Sequence, residues 1–220
     1  MTTIVWDGNV LAADRLYSSE VAEKAYKAKI FSPKIDAIFE DSRLIAFGGS
    51  GNSMYLSTFE EMLLKQPNTS LEKVKKQLAL DAEMAIGKTL YTSLLILTEN
   101  ACYKVWLDGK KPLHENVTDT CAAIGSGATF ACTLLPEAGA FAALARAARC
   151  DKKTSYRINW ASRDPEYGIS LATYCMQIRG IAKDLFLLIR DKLQKKNNQI
   201  GGQTTFVWPH PQARARSNDA

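Results

Sequence analysis

Apolar positions along the chain fall into short runs that change period several times. Ile4-Val5-Trp6 is a β-like run closed by Asp7-Gly8, and Val10-Leu11-Ala12-Ala13 follows, which together predict a hairpin. The second run is apolar throughout, as expected of a strand covered on both faces. Ala37-Ile38-Phe39, the polar turn 40–43 and Leu44-Ile45-Ala46-Phe47 predict a second hairpin, ending in a glycine-rich turn, Gly48-Gly49-Ser50-Gly51. The period then becomes helical. A helix is expected over 53–65, with Met54, Phe59, Met62 and Leu63 on one side. Another is expected over 71–85, where Leu71, Val74, Leu78 and Ala82 recur at three- and four-residue spacing. A third hairpin is expected from 90–98 and 102–107 around Glu99-Asn100. Ala122-Ala123-Ile124 is a short strand leading into Gly125-Ser126-Gly127. Helices from about 130 and over 138–150 come next, then a strand at 156–160. Strands grouped in hairpins and helices in pairs argue for antiparallel sheets covered by helices, not alternating βαβ units.

Beyond residue 163 the pattern changes again. Residues 170–195 carry Leu171, Tyr174, Cys175, Ile178, Ala182, Leu185, Phe186, Ile189 and Leu193 on one helical stripe. Gly201-Gly202 breaks it, and a tail with Pro209, Pro211, Arg214 and Arg216 follows. Three parts are therefore expected: a main domain over 1–163, a helical extension over 164–200 and a flexible basic tail over 201–220. From Ser170 onward there are eight Lys/Arg against three Asp/Glu, a surplus equal to the net charge of the whole chain, +5. The basic character belongs to this segment. It reads as a solvated helix face and tail, or as a docking or nucleic-acid-contacting tail; nucleic acid is not the expected partner.

Composition narrows the class. The 220 residues are 46% hydrophobic, which suits a globular chain with its own core. No apolar stretch approaches the length of a membrane span, and the first residues lack the basic-then-apolar order of a signal peptide. Asn68-Thr69-Ser70 and Asn116-Val117-Thr118 fit the glycosylation pattern and read as chance matches. Five widely spaced cysteines, Cys102, Cys121, Cys132, Cys150 and Cys175, include no CxxC pair. They are expected to be reduced, mostly buried thiols of a cytoplasmic protein. No His/Cys ligand set is visible, so no metal or cofactor is expected. Gly87-Lys88-Thr89 ends like a phosphate-binding loop, but Ala82 stands where the leading glycine is needed. His114 and His210 are the only histidines, and Gly125-Ser126-Gly127 lacks the spacing of a nucleophile elbow.

The candidate chemistry lies at the N-terminus. Removal of Met1 would leave Thr2 with a free α-amine beside its β-hydroxyl. An α-amine titrates at about 7.7–8.0, so a useful fraction of it is neutral at physiological pH and can act as the base that activates the hydroxyl. The surrounding residues carry a resemblance. Residues 2–15, TTIVWDGNVLAADR, resemble the opening of β-type proteasome subunits, of the bacterial heat-shock-locus proteasome-like peptidase and of small bacterial and phage proteasome homologues. In that family an aspartate follows the second strand, matched by Asp14, and a lysine followed by an apolar residue opens the third. Lys34-Ile35 fits by its distance to the glycine turn; Lys29-Ile30 competes but leaves more residues before that turn. The glycine run supplies an oxyanion N–H, for which Gly49 is favoured. The sequence AIGSG at 123–127 matches the Ser-bearing turn, giving Ser126, and Asp151-Lys152-Lys153-Thr154 matches an Asp-x-x-Ser pattern with Thr in place of Ser.

The resemblance covers about 2–160 and implies an α+β fold, the four-layer αββα sandwich of N-terminal-nucleophile (Ntn) hydrolases, here with an added C-terminal amphipathic helix. It implies a threonine peptidase or amide hydrolase acting on peptide or unfolded protein, in a homo-oligomeric ring with an ATPase unfoldase as a partner. A cytoplasmic setting in a bacterial cell, or a phage protein made there, goes with it. Lys34 would lower the effective pKa of the Thr2 hydroxyl, Asp14 would hold Lys34, and Ser126, Asp151 and Thr154 would bond the terminal amine and relay its proton. Two other readings stay open: a non-catalytic ring-forming protein on this fold, and an Ntn amidase for small amides.

Overall fold

The computed structural model describes residues 2–17, 25–51, 53–84 and 92–164. The expected helix over 170–195, the tail, Cys175 and Gly87-Lys88-Thr89 lie outside the described residues.

Two sheets make up the body. In the first, β1 (Thr3–Trp6) runs antiparallel between β12 (Ala122–Gly125) and β2 (Val10–Asp14), and β13 (Ile158–Ser162) closes the edge beside β2. All of β1 and β2 is buried, which matches the apolar runs Ile4–Trp6 and Val10–Ala13; Thr3 and Asp14 are buried with them. The β1–β2 turn is the expected Asp-Gly turn, with Gly8 at φ 98°. Asp7 accepts from the N–H groups of Asn9 and Val10 through Oδ1, and from Ala140 through Oδ2.

The second sheet runs β11 (Lys111–Asn116), β10 (Cys102–Asp108), β9 (Thr92–Thr98), β7 (Ser42–Gly51), β6 (Ile38–Phe39), β8 (Asn68–Thr69), with β5 (Ile30–Phe31) also paired to β7. A separate two-residue ladder joins β3 (Leu16–Tyr17) and β4 (Ala25–Tyr26). The β6–β7 turn is two residues, Glu40-Asp41, both at positive φ. Glu40 repays that strain by accepting the Leu71 N–H at the start of α2 (Leu71–Met84). β11 was not evident in the sequence because its residues are polar and include Pro112. As an edge strand it can leave the proline's missing N–H outside the ladder.

Helix α1 (Ser53–Lys65) and α2 pack Phe59, Leu63, Val74 and Leu78 against Phe39, Phe47, Leu94 and Ile96 of the second sheet. The opposite face of that sheet meets the first: Ile4, Trp6, Leu11 and Ala13 share one core with Ile30, Ala46, Leu95 and Leu97. Trp6 Nε1 donates to the Val117 carbonyl at 2.8 Å, so its only polar atom is satisfied inside that core.

Helix α3 (Ala128–Cys132) and α4 (Leu135–Cys150) follow β12. The alanine-rich stretch starts three residues earlier than its periodicity suggests, because Gly139 (φ 75°, ψ 178°) kinks α4 and two helical pieces join there. The Asp7 carboxylate takes the Ala140 N–H just past that kink, so the β1–β2 turn also caps the second piece. Gly127 lets the turn after β12 pack tightly: a Cβ there would stand 2.4 Å from Thr3 Oγ1 and 3.1 Å from Ala147 Cβ. Of the described cysteines only Cys102 is buried; Cys121, Cys132 and Cys150 are exposed, which corrects the expectation of mostly buried thiols. None of the described helices is long and apolar enough to cross a membrane.

Candidate active site

The start of β1, the end of β2 and the end of β12 meet at one end of the first sheet. Thr3 faces Gly125, and Ile4 faces Ala13. Thr2 precedes the strand and is half-buried; its carbonyl accepts the Ser126 N–H at 3.0 Å. Gly125 must be glycine for that contact, since at φ 97° its Cβ would fall 1.7 Å from the Thr2 oxygen.

Asp14 is fully buried at the end of β2. Four donors surround its carboxylate. Oδ1 takes the Thr3 N–H at 2.8 Å and Lys29 Nζ at 2.9 Å; Oδ2 takes the Leu16 N–H at 2.8 Å and the Ser155 N–H at 3.3 Å. A buried carboxylate needs such company. Lys29 is itself only 6% exposed. Burial pulls its pKa below the ordinary lysine value, against the bond to Asp14 and the charges of Asp14 and Asp151, which act upward.

The sequence favoured Lys34 for this place. Lys34 lies instead on the surface, its side chain 68% exposed and paired with Glu60 at 2.6 Å. The reason is the connection that follows. Ile30-Phe31 pairs directly with Gly48-Phe47, and residues 32–37 are an extra loop before β6. The distance from lysine to glycine run is longer than a simple hairpin would make it.

A second cluster lies on the other side of Thr3. Asp151, at the end of α4, accepts through Oδ2 from Ser126 Oγ at 2.7 Å and Thr154 Oγ1 at 2.8 Å, and through Oδ1 from the Lys153 N–H at 2.9 Å. Burial alone would raise the Asp151 pKa; these hydrogen bonds and the Lys153 charge outweigh it, and the net direction is down. Thr154 spends its proton on the carboxylate, so the Thr3 hydroxyl, 2.6 Å away, is the donor to Thr154 Oγ1. The Gly127 N–H donates to Thr3 Oγ1 at 3.1 Å. Thr3 thus touches both clusters, through its N–H on Asp14 and its hydroxyl on Thr154. Sequence reasoning passed over it; its only signal was its place between Thr2 and a buried strand.

The glycine run differs from expectation. Gly48, Gly49 and Ser50 are strand residues of β7, and only Gly51 has positive φ, 103°. A Cβ on Gly49 would meet Leu94 and Leu56, whereas one on Gly48 would meet the Lys29 backbone oxygen and Ile4. Past Gly48, β7 has no further ladder partner on the β5 side among the described residues.

The structure therefore gathers Thr2, Asp14, Ser126, Asp151 and Thr154 at one end of the first sheet, adds Lys29, and leaves Lys34 outside. Such a set can hold an ammonium beside a hydroxyl and accept hydrogen bonds from an amine. Among the described residues no group of three or more His, Cys, Asp or Glu is placed to hold a metal ion.

No protein-family model matches the chain, and no curated protein matches it. Among solved structures it is similar to one described as the crystal structure of eukaryotic HslV from Trypanosoma brucei. The identity is 17%, the match covers 73% of this chain and 97% of that one, and the TM-score is 0.48.

Proposed function

We propose that the chain is an N-terminal threonine peptidase of the proteasome-like β type, built as a four-layer αββα Ntn sandwich. Thr2, exposed by removal of Met1, is its nucleophile. The observation that carries this reading is the buried Lys29–Asp14 pair bonded to the N–H of the residue after Thr2. Burying two charges is costly and seldom adds stability. Placed beside a threonine at the end of a strand, the pair has a chemical use.

In this mechanism the Thr2 α-amine takes the proton of the Thr2 hydroxyl as its oxygen attacks the substrate carbonyl. The Lys29 ammonium favours the alkoxide by its charge. Ser126 holds its hydrogen on Asp151 and offers its oxygen to the amine. An N–H in 49–51, the part of β7 beyond its β5 pairing, receives the developing oxyanion, Gly49 remaining the sequence choice. The amine then protonates the leaving group, and water releases the acyl group from Thr2. Asp14, Lys29, Ser126, Asp151 and Thr154 are the residues proposed to support this chemistry, with Lys29 in the role first given to Lys34.

The remaining parts of the proposal are a peptide or unfolded-protein substrate, a homo-oligomeric ring, an ATPase unfoldase as partner and a cytoplasmic setting. Met84 and Leu80 of α2, 70% and 46% exposed, support assembly by offering apolar surface to a second subunit. The test is treatment of the Met1-free protein with an epoxyketone or a peptide boronate, followed by mass spectrometry of the N-terminal peptide. An adduct on Thr2 is expected. Peptide cleavage with no Thr2 adduct, or an adduct on a cysteine alone, refutes the reading.

A further inference from the structure

Lys29 reaches Asp14 from a segment with little regular structure of its own. β5 begins only at the next residue and is two residues long. Its backbone is fixed from two directions. On one side Gly48 comes so near that a Cβ there would stand 2.8 Å from the Lys29 oxygen. On the other, Asn159 of β13 accepts the Lys29 N–H on Oδ1 at 3.2 Å and donates from Nδ2 to the Ile30 carbonyl at 3.0 Å. The partners assign the amide's orientation: its oxygen faces a donor and its nitrogen an acceptor.

These two bonds cross from one sheet to the other. They also come from a telling position. Ile158, the residue before Asn159, is the cross-strand partner of Asp14. Adjacent residues of one edge strand therefore locate both halves of the ion pair, Asp14 through the ladder and Lys29 through a side-chain amide. A long, flexible side chain such as lysine holds one geometry best when its own backbone is pinned.

We propose that Asn159 is a positioning residue for Lys29: its amide clamps the backbone of residues 29–30 so that the ammonium rests on Asp14 beside the Thr2–Thr3 peptide. The proposal rests on the threonine-hydrolase reading for its kinetic consequence, but not for its structural one. A clamp that served stability alone would leave the environment of the ammonium unchanged when removed.

The experiment uses full-length, Met1-free protein carrying 13C at lysine Cε, with the Lys29 signal assigned by its loss in Lys29→Arg. Asn159→Ala and Asn159→Val both delete the clamp. The valine variant keeps a strand-favouring residue without a hydrogen-bonding group at the site, should the alanine variant fail to fold. In wild type the Lys29 signal is expected to titrate at lower pH than the other lysines. In the variants it should move toward them, as water reaches the loosened segment. Acylation of Thr2 by the epoxyketone should slow by about 10–100-fold, the scale of a misplaced catalytic group, with KM for peptide little changed. Variants that are merely less stable, with the Lys29 titration and acylation rate of wild type, overturn the proposal. If wild type is never acylated at Thr2, the hydrolase reading fails instead, and the Lys29 titration still decides whether Asn159 is its clamp.

Discussion

Lys29 and Lys34 offer a paired perturbation in which two residues of one type differ in burial. Replacing Lys29 with Met keeps most of the side-chain length and removes the charge. Asp14 then keeps three N–H donors, from Thr3, Leu16 and Ser155, and loses its only counter-charge among those four partners. Breaking a buried pair from one side typically costs about 3–5 kcal/mol. Lys34→Met breaks a pair whose lysine is 68% exposed and whose glutamate is 36% exposed. Such surface pairs are worth about 0–1 kcal/mol. Urea denaturation should therefore separate the two variants by several kcal/mol, with similar m-values. Under the proposed chemistry, Lys29→Met should also lower kcat by about 10²–10³-fold, the cost of removing one preorganised electrostatic group. Lys34→Met should leave kcat unchanged. Equal stability losses, or a larger loss of turnover from Lys34→Met, would refute the assignment of Lys29 to the site.

Three further outcomes follow from the geometry. Gly8 and Gly125 have nearly the same φ, 98° and 97°, but a Cβ at Gly8 meets nothing within 4 Å while one at Gly125 falls 1.7 Å from Thr2 O. Gly8→Ala should cost about 1–2 kcal/mol for the left-handed backbone alone, and thermal unfolding should show Gly125→Ala costing distinctly more; equal losses would mean the Thr2 contact is soft. The Asp151 pKa is held below its ordinary 3.8, so the stability its ionisation adds is complete above that value and is lost as pH falls through the lower folded-state pKa. The advantage of wild type over Asp151→Asn should accordingly be flat from pH 5 to 7 and shrink only below about pH 4; a loss centred above pH 5 contradicts this. Cys102 is buried and its thiol is pushed well above the usual range by that burial, so iodoacetamide should modify Cys121, Cys132 and Cys150 in the native protein and Cys102 only after unfolding.

The hairpins and helix stripes were legible because their periods are simple. Leu71, Val74, Leu78 and Ala82 are all buried on α2, at the spacing that announced the helix. β11 was hidden because an exposed edge strand needs no apolar alternation. Asp14, Ser126, Asp151 and Thr154 could be picked out by motif because Asp14 closes β2, Ser126 follows β12, and Asp151 and Thr154 lie just past α4, at ends whose positions the pattern defines. The lysine could not, because its choice depended on a loop length, and residues 32–37 have no periodicity to reveal that they are an insertion. Thr3 and Asn159 were invisible for a different reason: their partners are 151 and about 130 residues away, and no local pattern records such bonds.

β1 has one neighbour close in the chain and another far from it. Its pairing with β2 closes over a three-residue connection, but Thr3 meets Gly125 only after more than half the chain has been made. Loop-closure entropy makes such distant pairings late and slow. Asp14 and Lys29 lie close in the chain, but their Ser155 and Asn159 partners, like the Ser126–Asp151–Thr154 group, must wait for residues 126–159. On the ribosome, the two members of the ion pair emerge well before these partners exist. The fold itself thus acts as a timer: Thr2 and Thr3 are made early, but their surroundings are complete only once the first sheet has closed.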